Sequence, residues 1–239
     1  MDENRAPLST YEELAGMIDH SLVRPELTEE QVHQGCHLAR EYRVASVTVR
    51  PSDVDMAARR LDGSQTALGS VVGYPHGSQT TAVKLYEARD LLRRGAKEID
   101  MVVNIGKLVS RQFQYLESEF LQMVETCHSE GAVLKVIFEN AYLTGELKII
   151  ACKLSRLAGA DYARTATPLA PAGYAIEDLR LMKPRLGDRV KLAAGTVETL
   201  EQAHEVFGAG CSRFSATATA RILDDWKAEL KRRAASAES

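Results

Sequence analysis

The sequence predicts a single-domain α/β protein built as a closed (β/α)8 barrel, the TIM-barrel fold. Short apolar runs rich in β-branched residues alternate with amphipathic stretches of helical length, which is typical of repeated βα units on a parallel sheet. The runs number about eight, which favours a closed barrel over an open sheet. The chain has 239 residues, 45% of them hydrophobic, and this suits one large core.

Eight strands follow from these runs in chain order. Each run is short and dominated by apolar or β-branched residues. The strands are predicted at residues 17–20, 45–49, 68–73, 98–104, 133–139, 161–165, 189–193 and 213–216. The motifs GxGxxG and GxxxxGKS/T are both missing from the sequence, so a nucleotide-binding Rossmann or P-loop sheet loses its main support.

Helices are predicted between the strands. They are placed at residues 28–42, 80–94, 111–129, 144–157 and 197–207. Thr28 with Gln31 three residues later has the form of a capping box, which marks the start of the first of these helices. The whole chain, 1–239, is predicted to be one domain with frayed polar tails at about 1–10 and 232–239.

Composition limits the classes of partner. The net charge of -3 argues against nucleic-acid and membrane-surface partners, which attract clustered positive charge, and favours a small-molecule substrate. The four cysteines form no CxxC pair, so neither a disulfide framework nor a metal site is indicated; they are Cys36, Cys127, Cys152 and Cys211. No cofactor is expected. The N-terminal residues have no apolar signal-peptide core, and a cytoplasmic location is expected.

Charged residues inside the apolar runs are the candidates for catalysis. Catalytic side chains of a parallel barrel come from the carboxyl ends of its strands. Lysine is almost never fully buried unless it is paired, so lysines within apolar strands need an explanation. Four charged residues on four predicted strands form the candidate catalytic set: Asp100, Lys135, Arg164 and Lys191. The alternative is that they are structural ion pairs.

Other polar positions at strand ends are candidate substrate contacts. They lie in the predicted strands or in the turns that follow them, at the end of the barrel where substrates bind. These candidates are Asp19, Thr48, His76, Glu139, Asn140, Thr165, Thr167, Gly195 and Ser215.

Seven segments resemble, in order, the deoxyribose-phosphate aldolase family. They are "MIDHSLVRPELTEEQV", "ASVTVRPSDV", "LGSVVGYPHGSQTTAVKLYEA", "RRGAKEIDMVVNIGKL", "LKVIFENAYLT", "AGADYARTAT" and "RVKLAAGTVET", and they run from about residue 11 to 223. The resemblance implies a (β/α)8 barrel and a class I aldolase that joins acetaldehyde to glyceraldehyde 3-phosphate through a lysine Schiff base. It also suggests a homodimer.

The resemblance implies roles for individual residues. Asp100 matches the family's proton-relay aspartate, Lys191 the second lysine that perturbs the first, and Lys135 the lysine of strand five. The Schiff-base lysine belongs in a "GADFxKTST" motif, which is "GADYARTAT" here, with Arg164 at the lysine position. Arginine keeps its charge above about pH 12 and its nitrogens are delocalised, so it cannot form a Schiff base. Ordinary deoxyribose-phosphate aldolase activity is therefore expected to be absent.

The family's phosphate-binding turns also differ. The resemblance implies glycine-rich turns after strands six, seven and eight, whose backbone N–H groups hold a phosphate. Here the three turns are Thr167-Pro168, Ala194-Gly195-Thr196-Val197 and Ser215-Ala216-Thr217-Ala218, which have lost glycines, and proline has no N–H to donate. A substrate without a phosphate group is therefore expected.

Three hypotheses about function follow. The first is a repurposed enzyme for carbon-carbon lyase, cyclase or acid/base chemistry on a non-phosphorylated carbonyl or carboxylate compound, with Arg164 in place of the lysine. The second is a catalytically dead barrel with a binding or regulatory role. The third is an aldolase that uses Lys191 as nucleophile. A cation about 4 Å from Lys191 would lower its pKa by roughly three units at an effective dielectric constant near 20.

Overall fold

The computed structural model describes residues 6–237 and contains a closed barrel of eight parallel strands. The strands follow one another around the barrel in sequence order, and β1 pairs with both β2 and β8. They are β1 (Ile18–Leu22), β2 (Ser46–Val49), β3 (Ala67–Val72), β4 (Glu98–Val102), β5 (Val133–Ile137), β6 (Tyr162–Arg164), β7 (Lys191–Thr196) and β8 (Cys211–Ala216). The fold class predicted from the sequence is confirmed.

Ten α-helices are present within residues 6–237. They are α1 (Tyr11–Ala15), α2 (Glu29–Glu41), α3 (Val54–Leu61), α4 (Thr81–Arg93), α5 (Ile105–Val109), α6 (Phe113–Ser129), α7 (Gly145–Ala158), α8 (Ile176–Leu186), α9 (Leu200–Gly208) and α10 (Thr219–Ala237). Thr28 caps α2 through the capping box that the sequence predicts, and Thr144 caps α7 through its side chain. Both caps satisfy N–H groups that a helix start otherwise leaves unpaired.

The two ends of the described chain, where the sequence predicts frayed tails, contact each other. Helix α10 continues to Ala237, past the expected end near 232. Arg233 donates a hydrogen bond to the carbonyl of Leu8, and the indole N–H of Trp226 donates to the carbonyl of Thr10. Leu8 is itself buried. The two ends of the described chain therefore hold each other in place, a long-range pairing that polar composition does not reveal. Residues 1–5 and 238–239 lie outside the described residues.

The two faces of the strands differ in polarity. Residues such as Ile99 and Met101 of β4 are fully buried in the apolar layer between the barrel and its helices. The alternate residues of β4, Glu98 and Asp100, point into the barrel, because successive side chains of a strand point to opposite faces. The barrel interior is therefore rich in charge. Within residues 6–237, none of the helices combines the length and the apolar character needed to cross a membrane.

Candidate active site

Lys135 lies at the centre of a buried charge network inside the barrel. Its side chain is fully buried, and its Nζ lies 2.6 Å from Glu98 Oε2, 2.8 Å from Asp19 Oδ2 and 3.6 Å from Asp100 Oδ1. Strand register explains the contact between Lys135 and Asp100, because Asp100 of β4 is aligned with Lys135 of β5. A charged group is tolerated at such depth only when it is paired and hydrogen-bonded.

Two arginines complete this network. Arg213 of β8 donates to Asp19 and, at 3.2 Å, to Glu98. Arg164 of β6 donates from Nη1 to Asp100 Oδ2 at 2.6 Å. Three carboxylates thus face three cations, and the group is formally neutral. We call these six residues the interior network: Asp19, Glu98, Asp100, Lys135, Arg164 and Arg213.

Sequence reasoning missed two members of the interior network, Glu98 and Arg213. Glu98 stands two residues before Asp100 and so shares its face of β4. Arg213 stands two residues before Ser215 on β8 in the same way. The period of two within each strand was the signal that could have found both.

The network fixes the ionisation of its members. Burial alone would lower the pKa of Lys135, but the carboxylates of Asp100, Asp19 and Glu98 outweigh burial and raise it. Burial would likewise raise the pKa of Asp19, but Lys135 and Arg213 overcome this and lower it. Lys135 is therefore held as a protonated cation, which is the form that cannot attack a carbonyl.

Asp100 and Arg164 are the two network members that line a small cavity inside the barrel. Burial raises the pKa of the Asp100 carboxyl, while Lys135 and Arg164 act in the opposite direction. A carboxylate whose pKa is raised is a stronger base than an ordinary aspartate, which suits it to taking up a proton. The Nε of Arg164 is buried and has no hydrogen-bond partner in the described part of the chain. This side chain retains a donor for another group.

The structure does not bring Lys191 to this pair. Lys191 is the first residue of β7, at the amino end of the barrel, and it is exposed. Its register partner on β6 is Tyr162, whereas Arg164 is aligned with Ala193. The Nζ of Lys191 lies 5.6 Å from the centre of the Tyr162 ring. β7 begins two residues later than the sequence suggested, so Lys191 lies at the amino end of the strand and not in its middle.

A small cavity lies beside Asp100 and Arg164. It has room for about 10 Å³, roughly one water molecule. Thr48 contributes a hydroxyl that has no partner within residues 6–237, and Tyr74 contributes a phenol whose pKa burial raises despite the nearby Arg164. We call it the inner cavity; its lining residues are Ser21, Val23, Thr48, Val71, Tyr74, Asp100, Ile137, Arg164 and Pro168.

A larger cavity of about 280 Å³ lies further out on the same mouth. Three predicted substrate contacts line it: His76, Glu139 and Thr167. We call it the outer cavity; its lining residues are Pro75, His76, Ile105, Glu139, Tyr142, Thr167, Leu169 and Ala170.

Glu139 adopts a strained backbone at the end of β5. Its φ of 55° and ψ of 61° place a non-glycine residue in the left-handed region, which costs on the order of 1 kcal/mol. Its Oε1 accepts the backbone N–H of Thr167 at 2.8 Å. Burial raises the pKa of this carboxyl, and the hydrogen bonds from Thr167 oppose the rise.

Backbone donors near the mouth are largely used by the protein itself. The N–H of Thr167 is taken by Glu139, and the N–H of Gly195 donates to Thr165 Oγ1 at 2.9 Å. The N–H of Val197 donates to the carbonyl of Ser215 at 2.8 Å. These donors stabilise the turns after β6 and β7. They are not free for a ligand in this conformation.

Five predicted substrate contacts line neither cavity; they are Asp19, Asn140, Thr165, Gly195 and Ser215. Asp19 is 1% exposed and gives both oxygens to the interior network and to Ser46. Asn140 directs its amide to Asp178 and Met182 of α8. Sequence position alone had placed both at the mouth, and the structure corrects this. Ser215 keeps a buried hydroxyl with no partner in the region the structure describes.

Known proteins share this architecture. The profile of the DeoC/LacD family aldolases matches residues 14–214. The chain belongs to the DeoC/LacD aldolase family. Deoxyribose-phosphate aldolase of Thermoanaerobacter pseudethanolicus is 39% identical over 215 residues, which cover 89% of this chain and 96% of the relative. The enzyme of that name from Staphylococcus epidermidis is 40% identical over 210 residues, covering 87% and 94%.

A solved structure from this family has the same barrel. Deoxyribose phosphate aldolase from Aeropyrum pernix, described as a tetramer, superposes with a TM-score of 0.83 at 27% identity, covering 92% of this chain and 93% of that one. Membership of the DeoC/LacD aldolase family gives the chain the fold and chemistry class of a lyase. The reaction and the substrate of this chain depend on the residues that line the mouth of its barrel.

Proposed function

We propose that this DeoC/LacD aldolase cleaves or forms a carbon-carbon bond without a lysine Schiff base. Its substrate is a small non-phosphorylated carbonyl or carboxylate compound. Arg164 holds the developing enolate oxygen or a carboxylate, and Asp100 moves the proton. The contact of 2.6 Å between Arg164 Nη1 and Asp100 Oδ2 at the inner cavity carries the proposal.

The chemistry can be written in balanced steps for a β-hydroxy carbonyl substrate. Asp100 takes the proton of the hydroxyl group, and the bond between the α and β carbons breaks. The bonding electrons pass to the carbonyl, which becomes an enolate, while the β carbon leaves as an aldehyde. Asp100 then returns its proton to the α carbon. A fixed cation beside the enolate oxygen stabilises the charge that forms in the transition state.

Lys135 and Lys191 are poorly suited to the covalent alternative. Lys135 is held as a cation by three carboxylates, and Lys191 lies at the opposite end of its strand from the mouth. A Schiff base needs a neutral amine within reach of the substrate carbonyl. This supports a reaction that uses Arg164 in place of a nucleophile over one in which Lys191 is the nucleophile.

The occupied backbone donors support a substrate without a phosphate. The N–H groups of Thr167, Gly195 and Val197 are already bonded within the protein, and Pro168 has none. Phosphate sites of barrels use free N–H groups in the turns after strands seven and eight. The wide surface hollow beside the turn after β7 is lined by Glu177 and Glu205, which would repel a phosphate.

The decisive experiment compares wild type with Arg164→Ala and Arg164→Lys on a panel of aldol compounds. The panel contains 4-hydroxy-2-oxo acids, 3-hydroxy aldehydes and deoxyribose 5-phosphate, with the released aldehyde or pyruvate measured through NADH oxidation. Arg164→Ala should lose a factor of about 100 to 1,000 in kcat. Arg164→Lys should lose less than Arg164→Ala but stay below wild type, because lysine lacks the bidentate fork.

Borohydride trapping tests the mechanism separately. Wild type incubated with its best substrate and borohydride should show no added mass on a lysine peptide. A reduced adduct on Lys135 or Lys191 would overturn the non-covalent mechanism. Cleavage of deoxyribose 5-phosphate faster than every non-phosphorylated compound would overturn the proposed substrate class.

The second candidate function is a barrel that binds a ligand without turning it over. The narrow inner cavity favours it, since about 10 Å³ admits no substrate without movement of Tyr74 or Pro168. Thermal-shift screening against carboxylates, carbonyl compounds and sugar phosphates, followed by product analysis, separates the two. Stabilisation by a compound that is recovered unchanged would favour the binding role.

A further inference from the structure

Glu139 has a carboxylate oxygen that the fold leaves without a partner. The residue is only 1% exposed, and its Oε2 is buried without a hydrogen bond from any described residue. Oε1 is fixed by the N–H of Thr167 at 2.8 Å. A buried oxygen of this kind is costly unless something donates to it. The oxygen is therefore an unpaired acceptor on a residue that lines the outer cavity.

The walls around Glu139 define what that ligand can be. The outer cavity is mostly apolar beside the carboxyl, with Pro75, Ile105 and Leu169 among its lining residues. Tyr142 and Leu169 are 53% and 41% exposed and place apolar surface at the rim. An apolar pocket with one placed acceptor selects an apolar skeleton that carries a hydrogen-bond donor.

The outer cavity adjoins the inner cavity across two short segments. On the segment after β3, Tyr74 lines the inner cavity, whereas Pro75 and His76 line the outer cavity. On the segment after β6, Pro168 lines the inner cavity, whereas Thr167 and Leu169 line the outer one. One ligand that reaches past these segments would place one end beside Arg164 and the other beside Glu139.

We propose that the outer cavity is a specificity subsite that binds the distal part of the substrate, an apolar group bearing a hydroxyl or amine, through Glu139 Oε2. The identity of the substrate's reacting end, beside Arg164, rests on the proposed function. Recognition of the distal end by Glu139 is independent of that function. Glu139 positions and selects the substrate and takes no part in breaking the bond.

Three small probes of one shape test the subsite without any turnover. Benzylamine, benzyl alcohol and benzoate differ in the group that would meet Glu139. Methyl NMR of Ile105 and Ala170 in the wild-type protein should show binding of benzylamine and benzyl alcohol. Benzoate should bind at least about tenfold more weakly, since its carboxylate meets another acceptor.

Glu139→Gln supplies the decisive variant. Glutamine keeps an oxygen for the N–H of Thr167 and turns the orphan acceptor into an amide donor. The ratio of benzoate to benzylamine affinity should rise about tenfold or more. Glu117→Gln makes the same charge change at an exposed site on α6 and should leave the ratio unchanged. Tyr142→Ala should weaken all three probes without altering their order.

An affinity ratio unchanged in Glu139→Gln, or the absence of shifts at Ile105 and Ala170, would overturn the subsite. Arg164→Ala should retain probe binding while it loses turnover. Failure of the subsite therefore appears in the probe ratios, whereas failure of the proposed function appears in the kinetics of the Arg164 variants.

Discussion

Asp100 and Arg164 are in direct contact, but they have different roles in the proposed mechanism. Arg164 binds a substrate oxygen and stabilises the charge that forms in the transition state, whereas Asp100 transfers a proton. Asp100→Asn preserves an oxygen that can accept from Arg164 Nη1 and removes the base. We expect kcat to fall by a factor of about 100 to 10,000 with little change in KM. Steady-state kinetics on the best substrate of the panel checks this.

The Arg164 variants provide the contrast for Asp100→Asn. Arg164→Ala should alter KM and kcat together when the arginine holds a substrate oxygen in the ground state as well as in the transition state. If Asp100→Asn raised KM and left kcat intact, the aspartate would be a binding group only. The assignment of proton transfer to Asp100 would then fail.

Lys135 is expected to matter for stability more than for chemistry. Lys135→Met leaves Asp19, Glu98 and Asp100 facing two arginines, so one buried carboxylate loses its compensation. Removing one partner of a buried ionic group costs about 3–5 kcal/mol in the free energy of unfolding. Urea unfolding at pH 7 measures the loss. Lys191→Met removes an exposed lysine from the same barrel and should cost much less; equal losses would contradict the central role of Lys135.

At the scale of elements, the start of β7 determines whether Lys191 can act as a nucleophile at the mouth of the barrel. The sequence predicted β7 at residues 189–193, with Lys191 in its middle, and the structure places β7 at Lys191–Thr196. Apolar residues continue on both sides of Lys191, so the pattern did not locate the start of the strand. The start of β7 is fixed by the pairing of Lys191 with Tyr162 of β6, and a pairing between two strands cannot be read from the sequence of one strand.

The loop between β3 and α4 shapes one side of the mouth through Gly77. The residue has a φ of 66°, and a Cβ there would lie 1.9 Å from the carbonyl oxygen of Val103. Gly77→Ala must therefore displace backbone beside His76, and we expect a loss of about 4 kcal/mol or more in the free energy of unfolding. Urea unfolding measures the loss, and loss of probe binding in the outer cavity should accompany it.

Gly63 offers a matched control for Gly77→Ala. Its φ is 69°, yet a Cβ there would meet nothing within 4 Å. Gly63→Ala should cost only the left-handed conformation, about 1–2 kcal/mol. If the two variants were equally destabilised, the contact with Val103 would not be the cause.

At the scale of the molecule, the closed barrel followed from local patterns, whereas the interior network did not. Each strand carries its own apolar run, so the eight strands were visible one at a time. The charges of Asp19 and Arg213 meet only because β1 pairs with β8 and closes the barrel. Asn140 is a second example of a contact that local patterns do not reveal. It follows β5, but its amide contacts Asp178 and Met182 of α8, a helix distant in sequence.

Barrel closure also makes acid stability depend on one buried histidine. His20 of β1 contacts Thr219 of α10 at 2.8 Å, which joins the first strand to the last helix. Burial lowers its pKa to about 4, and a hydrogen bond with the backbone of Ala216 opposes the shift only in part. The unfolded chain, with an ordinary pKa near 6.5, therefore binds more protons than the folded chain between these values. The free energy of unfolding should fall by about 3 kcal/mol from this residue as the pH drops from about 6.5 to 4.

Urea unfolding at pH 7, 5.5 and 4.5 measures this dependence on His20. His20→Gln should be less stable than wild type at pH 7, because it disturbs a buried contact, but its stability should decline less as the pH falls. His37→Gln is the control, since His37 is 76% exposed on α2 and should follow the wild-type slope. Carboxylates of the interior network add to the slope of all three proteins equally, so the difference between His20→Gln and wild type isolates the histidine. Parallel slopes for His20→Gln and wild type would show that acid weakens the barrel through the carboxylates alone.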